Sequence, residues 1–517
     1  MNPQEWIAHD PDPVTAAELA ACDADELAAR FARPLRFGTA GLRGPVRGGP
    51  DAMNLAVVLR ATWAVAQVRK AGTVVVGRDA RHGSAAFATA AAEVLAAAGF
   101  SVTLLPDPVP TPVVAFSVRH LGAAAGIQIT ASHNPPADNG YKVYFDGGIQ
   151  IVSPTDRDIE NAMAAAPFAD EIPRRPVEPA DKDLVDRYIE RAAAVRRSQG
   201  SVRVALTPLH GVGGAVAVET LRRAGFDDVH PVASQFAPDP EFPTVAFPNP
   251  EEPGATDALL ALAADVGADV AIALDPDADR CAVGIPDGGW RMLSGDETGW
   301  LLGDYILSHI ASPETTVVAS TVVSSRMLSA IAAYYGAQHV ETLTGFKWLA
   351  RADADLPGKA LVYAYEEAIG HCVDPDAVRD KDGISAAVLV CDLVASLKQR
   401  GRSVRDMLDD LARRHGVHMV DAVSRPVSDA EEAAAVMERL RAHPPDRLAG
   451  FATTTTDLRP RTDALIFTGG DTQASVRAVV RPSGTEPKLK CYLEVRCADR
   501  ARAAGLLDEL LGQVRRW

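Results

Sequence analysis

The chain has little of what would carry it into a membrane or an oxidising compartment. Cysteine occupies six of 517 positions (Cys22, Cys281, Cys372, Cys391, Cys491, Cys497), with no CxxC pair, and aromatics only 6%. Cysteines this dilute give no disulfide framework and fit a reducing environment. An uncharged apolar run of about 18 residues is missing, so no membrane span is expected. Positive charge is also short: 52 Lys and Arg against 68 Asp and Glu leave a formal charge of −16. A nucleic-acid groove or an anionic membrane needs a cationic face, so neither is an expected partner. A phosphorylated small molecule could still be met by a local cluster of Arg, Lys or metal. The first 22 residues carry Asp10, Asp12 and scattered prolines instead of the basic-then-apolar order of a secretory signal, and a cytoplasmic location is expected.

What is present is an ordinary globular composition, 47% hydrophobic and 23% charged, in a chain long enough for three or four domains. One pattern recurs three times: an apolar strand, a polar or Gly-containing loop, a helical stretch ending at Gly, and a second strand. The copies run from Thr73–Gly77 to Phe100–Leu105, from Val202–Leu206 to Val229–Val232, and from Thr316–Ser320 to His339–Leu343. Strands alternating with helices of this length imply βαβ units. The last hundred residues read differently, with strands predicted at Val476–Val480 and Lys488–Cys497 and an amphipathic helix from about Ala498. The expected fold class is α/β: three related α/β domains with mixed sheets, over 1–195, 196–300 and 301–420, plus a smaller α+β domain over 421–517. Ala166–Asp181 and Ala422–Ala433 are the candidate linkers.

Four segments carry chemistry. Thr130-Ala-Ser-His-Asn-Pro-Pro follows an apolar strand, and its prolines leave an exposed loop with a hydroxyl (Ser132), a base (His133) and, ten residues beyond the serine, a cation (Lys142). The plain alternative is a turn in which Ser and Asn bond their own backbone. Asp275-Pro-Asp-Ala-Asp-Arg280 also follows a strand. In an extended chain Asp275, Asp277 and Asp279 share one face, and three hard oxygen ligands suit Mg²⁺. Arg280 adds a phosphate fork; an acidic surface turn is the alternative. Glu366-Glu-Ala-Ile-Gly-His371 offers carboxylates that accept hydrogen bonds from sugar hydroxyls, or simply an acidic helix start. Arg481-Pro-Ser-Gly-Thr-Glu-Pro-Lys-Leu-Lys490 combines a turning Gly484, the hydroxyls of Ser483 and Thr485, and three cations, which makes a phosphate cradle or a basic hairpin loop.

In this order the four segments resemble the loops of the α-D-phosphohexomutase superfamily, which holds phosphoglucomutases, phosphomannomutases and phosphopentomutase relatives. The resemblance spans nearly the whole chain, and Phe37-Gly-Thr-Ala-Gly-Leu-Arg-Gly44, Gly77-Arg-Asp79 and Phe247-Pro-Asn-Pro-Glu251 look like the phosphopentomutase-containing branch. It implies four domains around a central cleft, with phosphoryl transfer between the 1-phospho and 6-phospho forms of glucose or mannose. A pentose mutase moving phosphate between positions 1 and 5 is the alternative. It implies Ser132 as the phosphorylated residue and a Mg²⁺ site made by Ser132, Asp275, Asp277 and Asp279. Arg43, Lys142 and His133 form the acid/base region. Arg280, Glu367, His371, Lys347, Arg481, Ser483, Gly484 and Thr485 are the implied substrate-binding residues, and a sugar bisphosphate is the implied activator. The family's sugar loop usually reads Glu-x-Ser, whereas Glu367 is followed here by Ala368 and Ile369. Two other functions compete: a magnesium-dependent phosphatase with Asp275 as nucleophile, and a sugar-phosphate sensor without turnover. Oligomeric state is not legible.

Overall fold

The computed structural model describes residues 2–38, 41–483 and 488–517. Its chain divides into two compact units, one of residues 1–294, 345–351 and 362–400, the other of 295–344, 352–361 and 401–517.

In the first unit, Val- and Ile-rich segments buried on both faces form the middles of two mixed sheets, as strands covered by helices on either side must. The strands of the first sheet are β1 (Leu42–Pro45), β2 (Thr73–Arg78), β3 (Ser101–Leu104), β4 (Ala125–Ile129), β5 (Asp138–Phe145) and β6 (Ile149–Gln150). They lie in the order β1-β5-β4-β2-β3, with β6 against β5. β2 runs parallel to β3 and β4, while β5 is antiparallel to β4. The second sheet takes β7 (Val204–Thr207), β8 (Val229–Pro231), β9 (Val270–Leu274), β10 (Cys281–Pro286) and β11 (Trp290–Met292), in the order β11-β10-β9-β7-β8. Here too the parallel strands β8, β7 and β9 are followed by antiparallel β10. The internal repeat of the sequence is therefore a repeat of topology. In each sheet a chemical loop leaves the last parallel strand: Thr130–Pro136 after β4, Asp275–Arg280 after β9. The stretch expected as a linker near Ala166–Asp181 is irregular but packed, with Ala169 and Ile172 in the core and backbone hydrogen bonds from Arg175 to Glu93 and from Ala180 to Leu104.

The hairpin Ala360–Glu366 and Gly370–Cys372 leads into the buried helix Gly383–Gln399. Asp382 caps that helix, accepting from the amides of Ile384 and Ser385 at 3.1 Å, and also accepts the Tyr188 hydroxyl at 2.7 Å. Asp382→Ala is expected to cost about 2–3 kcal/mol, a lost cap plus a buried hydroxyl left unpaired. A lowered midpoint of urea unfolding would show it.

In the second unit, Thr316–Thr321 and Gln338–Thr342 pair in parallel as the third repeat predicts. A five-stranded sheet closes the chain, with the helix Arg500–Val514 capped by Asp499. Its antiparallel strands Ala474–Pro482 and Lys488–Cys497 are the predicted pair. The proposed linker Ala422–Ala433 is a correction. Val417–Pro426 is a strand in register with Lys488–Cys497 over ten pairs, and Ala430–Ala442 is a helix. This strand was hidden because none of its later residues is buried, so it lacks the apolar alternation of a half-buried strand. Among the described residues no helix is long and apolar enough to cross a membrane.

Candidate active site

The loop after β4 is bent before any ligand arrives. The Thr130 hydroxyl accepts the Ser132 amide at 2.9 Å, and Ser132 takes a positive φ of 53°, a left-handed conformation uncommon outside glycine. Arg81 holds the bend, its guanidinium donating to the carbonyls of Ser132 and Asn134 at 2.6 Å, Pro135 at 2.7 Å and Asp138 at 3.1 Å. One buried cation thus collects four backbone acceptors. Such strain persists only when neighbours fix it, and it occurs preferentially at working sites.

The carboxylates converge through a turn and not along an extended strand, which corrects the sequence reading. The Ala278 amide donates to the Asp275 carbonyl at 2.8 Å, and Ala278 has a φ of 55°. The turn packs so closely on the loop after β7 that a Cβ on Gly211 would lie 2.3 Å from the Pro276 Cα. Asp275, Asp277 and Asp279 are buried and offer ligand oxygens within 4.8 Å of one another. The Oδ1 atoms of Asp277 and Asp279 lack a hydrogen-bond partner among the described residues. Buried, unpartnered carboxylate oxygens in a close triad fit a hard divalent cation.

Ser132 and Lys142 meet this triad. The Ser132 Oγ donates to Asp275 Oδ2 at 2.9 Å and lies 3.3 Å from His133 Nδ1. Lys142 Nζ donates to Asp277 Oδ2 at 2.6 Å and to Asp279 Oδ2 at 2.8 Å, and the Thr111 hydroxyl also donates to Asp277 Oδ2. Charges inside the cluster divide accordingly. Burial and its two acidic neighbours push Asp275 well up. Burial also opposes ionisation of Asp277, yet Lys142 and Thr111 outweigh it and hold that carboxyl low. Asp279 is likewise low, with Lys142, Lys381 and Arg280 overcoming burial and the repulsion of Asp277. Burial, then Arg280 and Arg43, keep the His133 imidazole neutral, well below its ordinary value. Arg280 has a raised value because Asp275, Glu366 and Asp279 more than offset its burial. Arg43 approaches the serine loop, donating to Asn134 Oδ1 at 3.3 Å.

The segment Glu366–His371 forms a hairpin turn, so the helix-start alternative falls. It is stitched to the carboxylate turn: the Cys281 amide donates to the Ile369 carbonyl at 3.0 Å, and Arg280 bridges to Gly370. Glu366 is buried, its carboxyl raised by that burial against the pull of Lys381 and Arg280, while Glu367 is half-buried.

Two of the expected substrate contacts are buried side chains. His371 is fully buried, its Nδ1 3.1 Å from the Tyr363 hydroxyl and its ring stacked with Tyr363 and Tyr365, and burial drops its pKa to about 3. Its Nε2 is buried without a hydrogen-bond partner among the described residues. Lys347 is buried beside Trp348, and no hydrogen bond or ion pair joins it to the triad among the described residues. Arg481 and Ser483 stand in the second unit, Arg481 opposite Lys490 and the Ser483 amide donating to the Lys488 carbonyl at 2.8 Å. Gly484 and Thr485 lie outside the described residues. Sequence reasoning missed Thr111, Arg81 and above all Lys381, whose Nζ is 3.3 Å from Asp279 Oδ2. Each is a lone polar residue outside the four motifs, recognisable only through its distant partner.

Comparison with known proteins finds one family along the chain. Models of the phosphoglucomutase/phosphomannomutase α/β/α domains I, II and III match residues 34–170, 186–288 and 294–415, and that of the C-terminal domain matches 425–513. The chain belongs to the phosphoglucomutase/phosphomannomutase family. Within this family, a Haemophilus influenzae protein named "Probable phosphomannomutase" is 40% identical, covering 90% of this chain and 97% of its own. The Mus musculus phosphopentomutase is 34% identical over 99% of this chain and 93% of its own. The human glucose 1,6-bisphosphate synthase is 31% identical, with 99% and 92% covered. A crystal structure from Thermus thermophilus, titled as a phosphomannomutase, superposes with a TM-score of 0.70 at 26% identity, over 93% of this chain and 99% of that one. The chain is accordingly a phosphomutase, an intramolecular phosphotransferase, with the family's four-domain α/β architecture.

Proposed function

We propose that this phosphomutase moves phosphate between the 1-oxygen and the terminal hydroxymethyl oxygen of a sugar with Ser132 as the carrier. The observation that carries the reading is the strained Ser132, its Oγ on Asp275 at 2.9 Å, at a triad bordered by Lys142 and Arg280. Phospho-Ser132 gives its phosphoryl group to the free hydroxyl of a sugar monophosphate: the bond to the serine oxygen breaks as the bond to the sugar oxygen forms. The sugar bisphosphate then turns end for end and returns its other phosphate to Ser132. His133, neutral and beside Oγ, is available to take and return the hydroxyl proton, while Arg43, Lys142 and Arg280 neutralise phosphoryl oxygens in a loose transition state. Asp275, Asp277 and Asp279 with the Ser132 oxygen would hold Mg²⁺, which supplies further charge neutralisation at the phosphoryl oxygens when bound. A sugar bisphosphate would act as activator by loading Ser132. On their sequence motif alone, we assign Arg481, Ser483, Gly484 and Thr485 to hold the phosphate that is not reacting.

For the sugar we favour pentose 1- and 5-phosphates over the glucose and mannose phosphates that the sequence ranks first. Ile369, where the family's usual hydroxyl would stand, is 2% exposed and packs into an apolar cluster with Ala205, Val232 and Leu259. That position offers a sugar no hydrogen bond. Phosphopentomutases are among the relatives matched over nearly the whole chain, at 34% identity, beside the protein named probable phosphomannomutase at 40%. Turnover of ribose, glucose and mannose 1-phosphates, each with its matching bisphosphate, is the test. A kcat/KM for ribose 1-phosphate at least about tenfold above the hexoses is expected, roughly the worth of one hydrogen bond. A hexose preference would overturn the choice of sugar, and no turnover of any of the three would overturn the function.

A further inference from the structure

Lys381 is a long, flexible cation that must be aimed, and its neighbours show how. Its ammonium shares Asp279 Oδ2 with Lys142, at 3.3 Å against 2.8 Å, and lies 5.7 Å from the centre of the Phe346 ring. Lys381 thus stands between the carboxylate turn and the hairpin turn, where a Cβ on Gly370 would lie 2.3 Å from its Cδ.

Its immediate neighbour Asp380 is 1% exposed and is gripped from the first sheet. Asp380 Oδ2 accepts the Tyr144 hydroxyl at 2.9 Å and Gln150 Nε2 at 2.7 Å, and Oδ1 accepts the Lys381 amide at 2.8 Å. Tyr144 and Gln150 are directly opposed partners on β5 and β6. Tyr144 is also two residues beyond Lys142 on β5, so both side chains leave the same face of the strand. One strand face thus delivers an ammonium to Asp277 and Asp279 and a hydroxyl to Asp380. Burial and the Asp380 charge push the Tyr144 hydroxyl well up, which keeps it a donor throughout the physiological range.

We propose that Tyr144 and Gln150 are positioning residues that act through Asp380 to hold Lys381 on Asp279. With both donors in place, Asp380 Oδ2 is occupied and only Oδ1 faces the Lys381 ammonium, at 4.0 Å. Removing a donor frees Oδ2 to draw that ammonium away from Asp279. The fold keeps the other donor, so the loss falls on turnover more than on stability.

The test is a set of variants read by kcat, KM and thermal midpoint. Tyr144→Phe and Gln150→Ala are each expected to lower kcat about five- to tenfold with KM within about twofold, and Asp380→Asn to lower it further. Adding Tyr144→Phe to Asp380→Asn should lower kcat no further, because both act through one carboxylate. Wild-type kcat in both Tyr144→Phe and Gln150→Ala, even with a lowered midpoint, would overturn the proposal. So would losses that simply multiply in the double variant. If Tyr144→Phe does not fold, Gln150→Ala, alone and combined with Asp380→Asn, gives the same two answers.

Discussion

Ser132→Ala is expected to lower kcat at least about 10⁴-fold while moving the thermal midpoint by only a few degrees. Both halves follow from the loop. The backbone bend is set by the Thr130 hydroxyl and by Arg81, which together bind the Ser132 amide and four nearby carbonyls. None of those contacts involves the serine oxygen, and alanine suffers no greater penalty at a φ of 53° than serine does. What disappears is one hydrogen bond to Asp275, worth about 1 kcal/mol, and the only hydroxyl placed to carry phosphate at the triad among the described residues. Thr111 Oγ1 is committed to Asp277. Assay of product formation with bisphosphate supplied, alongside a melting curve, reads both quantities; turnover within tenfold of wild type would remove Ser132 from the chemistry.

Lys142→Met carries the second large effect, on stability. The ammonium is 3% exposed and is the main counter-charge of Asp277. Without it two buried carboxylates face each other across the turn, and breaking a buried pair in this way costs about 3–5 kcal/mol. The pH dependence contributed by Asp277 and Asp279 should change sign as well. In the native protein both carboxyls are held below their unfolded value of 3.8, so the stability they contribute is complete above it and is lost as pH falls through the folded values. In the variant, burial and mutual repulsion push at least one of them above its unfolded value. Folding then takes up a proton, and stability rises as pH falls from 7 toward 5. Urea unfolding at pH 7 and pH 5, with and without Mg²⁺, checks this. The variant should gain stability at the lower pH and on addition of Mg²⁺, which replaces the missing positive charge; a variant as stable as the native protein at pH 7 without Mg²⁺ would contradict it.

Legibility in the sequence tracked how local each feature is. The three βαβ repeats could be read because strand, loop and helix each leave an apolar period within thirty or so residues, and the structure returns them as Thr73–Arg78, Val204–Thr207 and Thr316–Thr321 with their parallel partners. The carrier loop and carboxylate turn were legible as motifs because several polar residues crowd into a few positions. The strand Val417–Pro426 was not, since its second half lacks buried residues and apolar alternation and its ladder is made with a segment about seventy residues away. The same reason hid Lys381 and Thr111, whose meaning depends on Asp279 and Asp277 more than a hundred residues distant. The surroundings of His371 were equally hidden: its motif gave no sign that its ring stacks on Tyr363 and Tyr365. The convergence of the acidic triad was anticipated for a wrong reason, because only the tertiary packing of Pro276 on Gly211 reveals a turn in place of an extended strand.

The central claim is that phosphate resides on Ser132 between turnovers. Loading the protein with a sugar bisphosphate labelled with ³²P, quenching in acid and mapping the labelled peptide tests it directly. The expected result is an acid-stable phosphoserine at position 132 that passes its label to added sugar monophosphate at least as fast as kcat. Label held instead as a hydroxylamine-sensitive acyl phosphate on Asp275, or label on Ser132 that never leaves, would contradict the account.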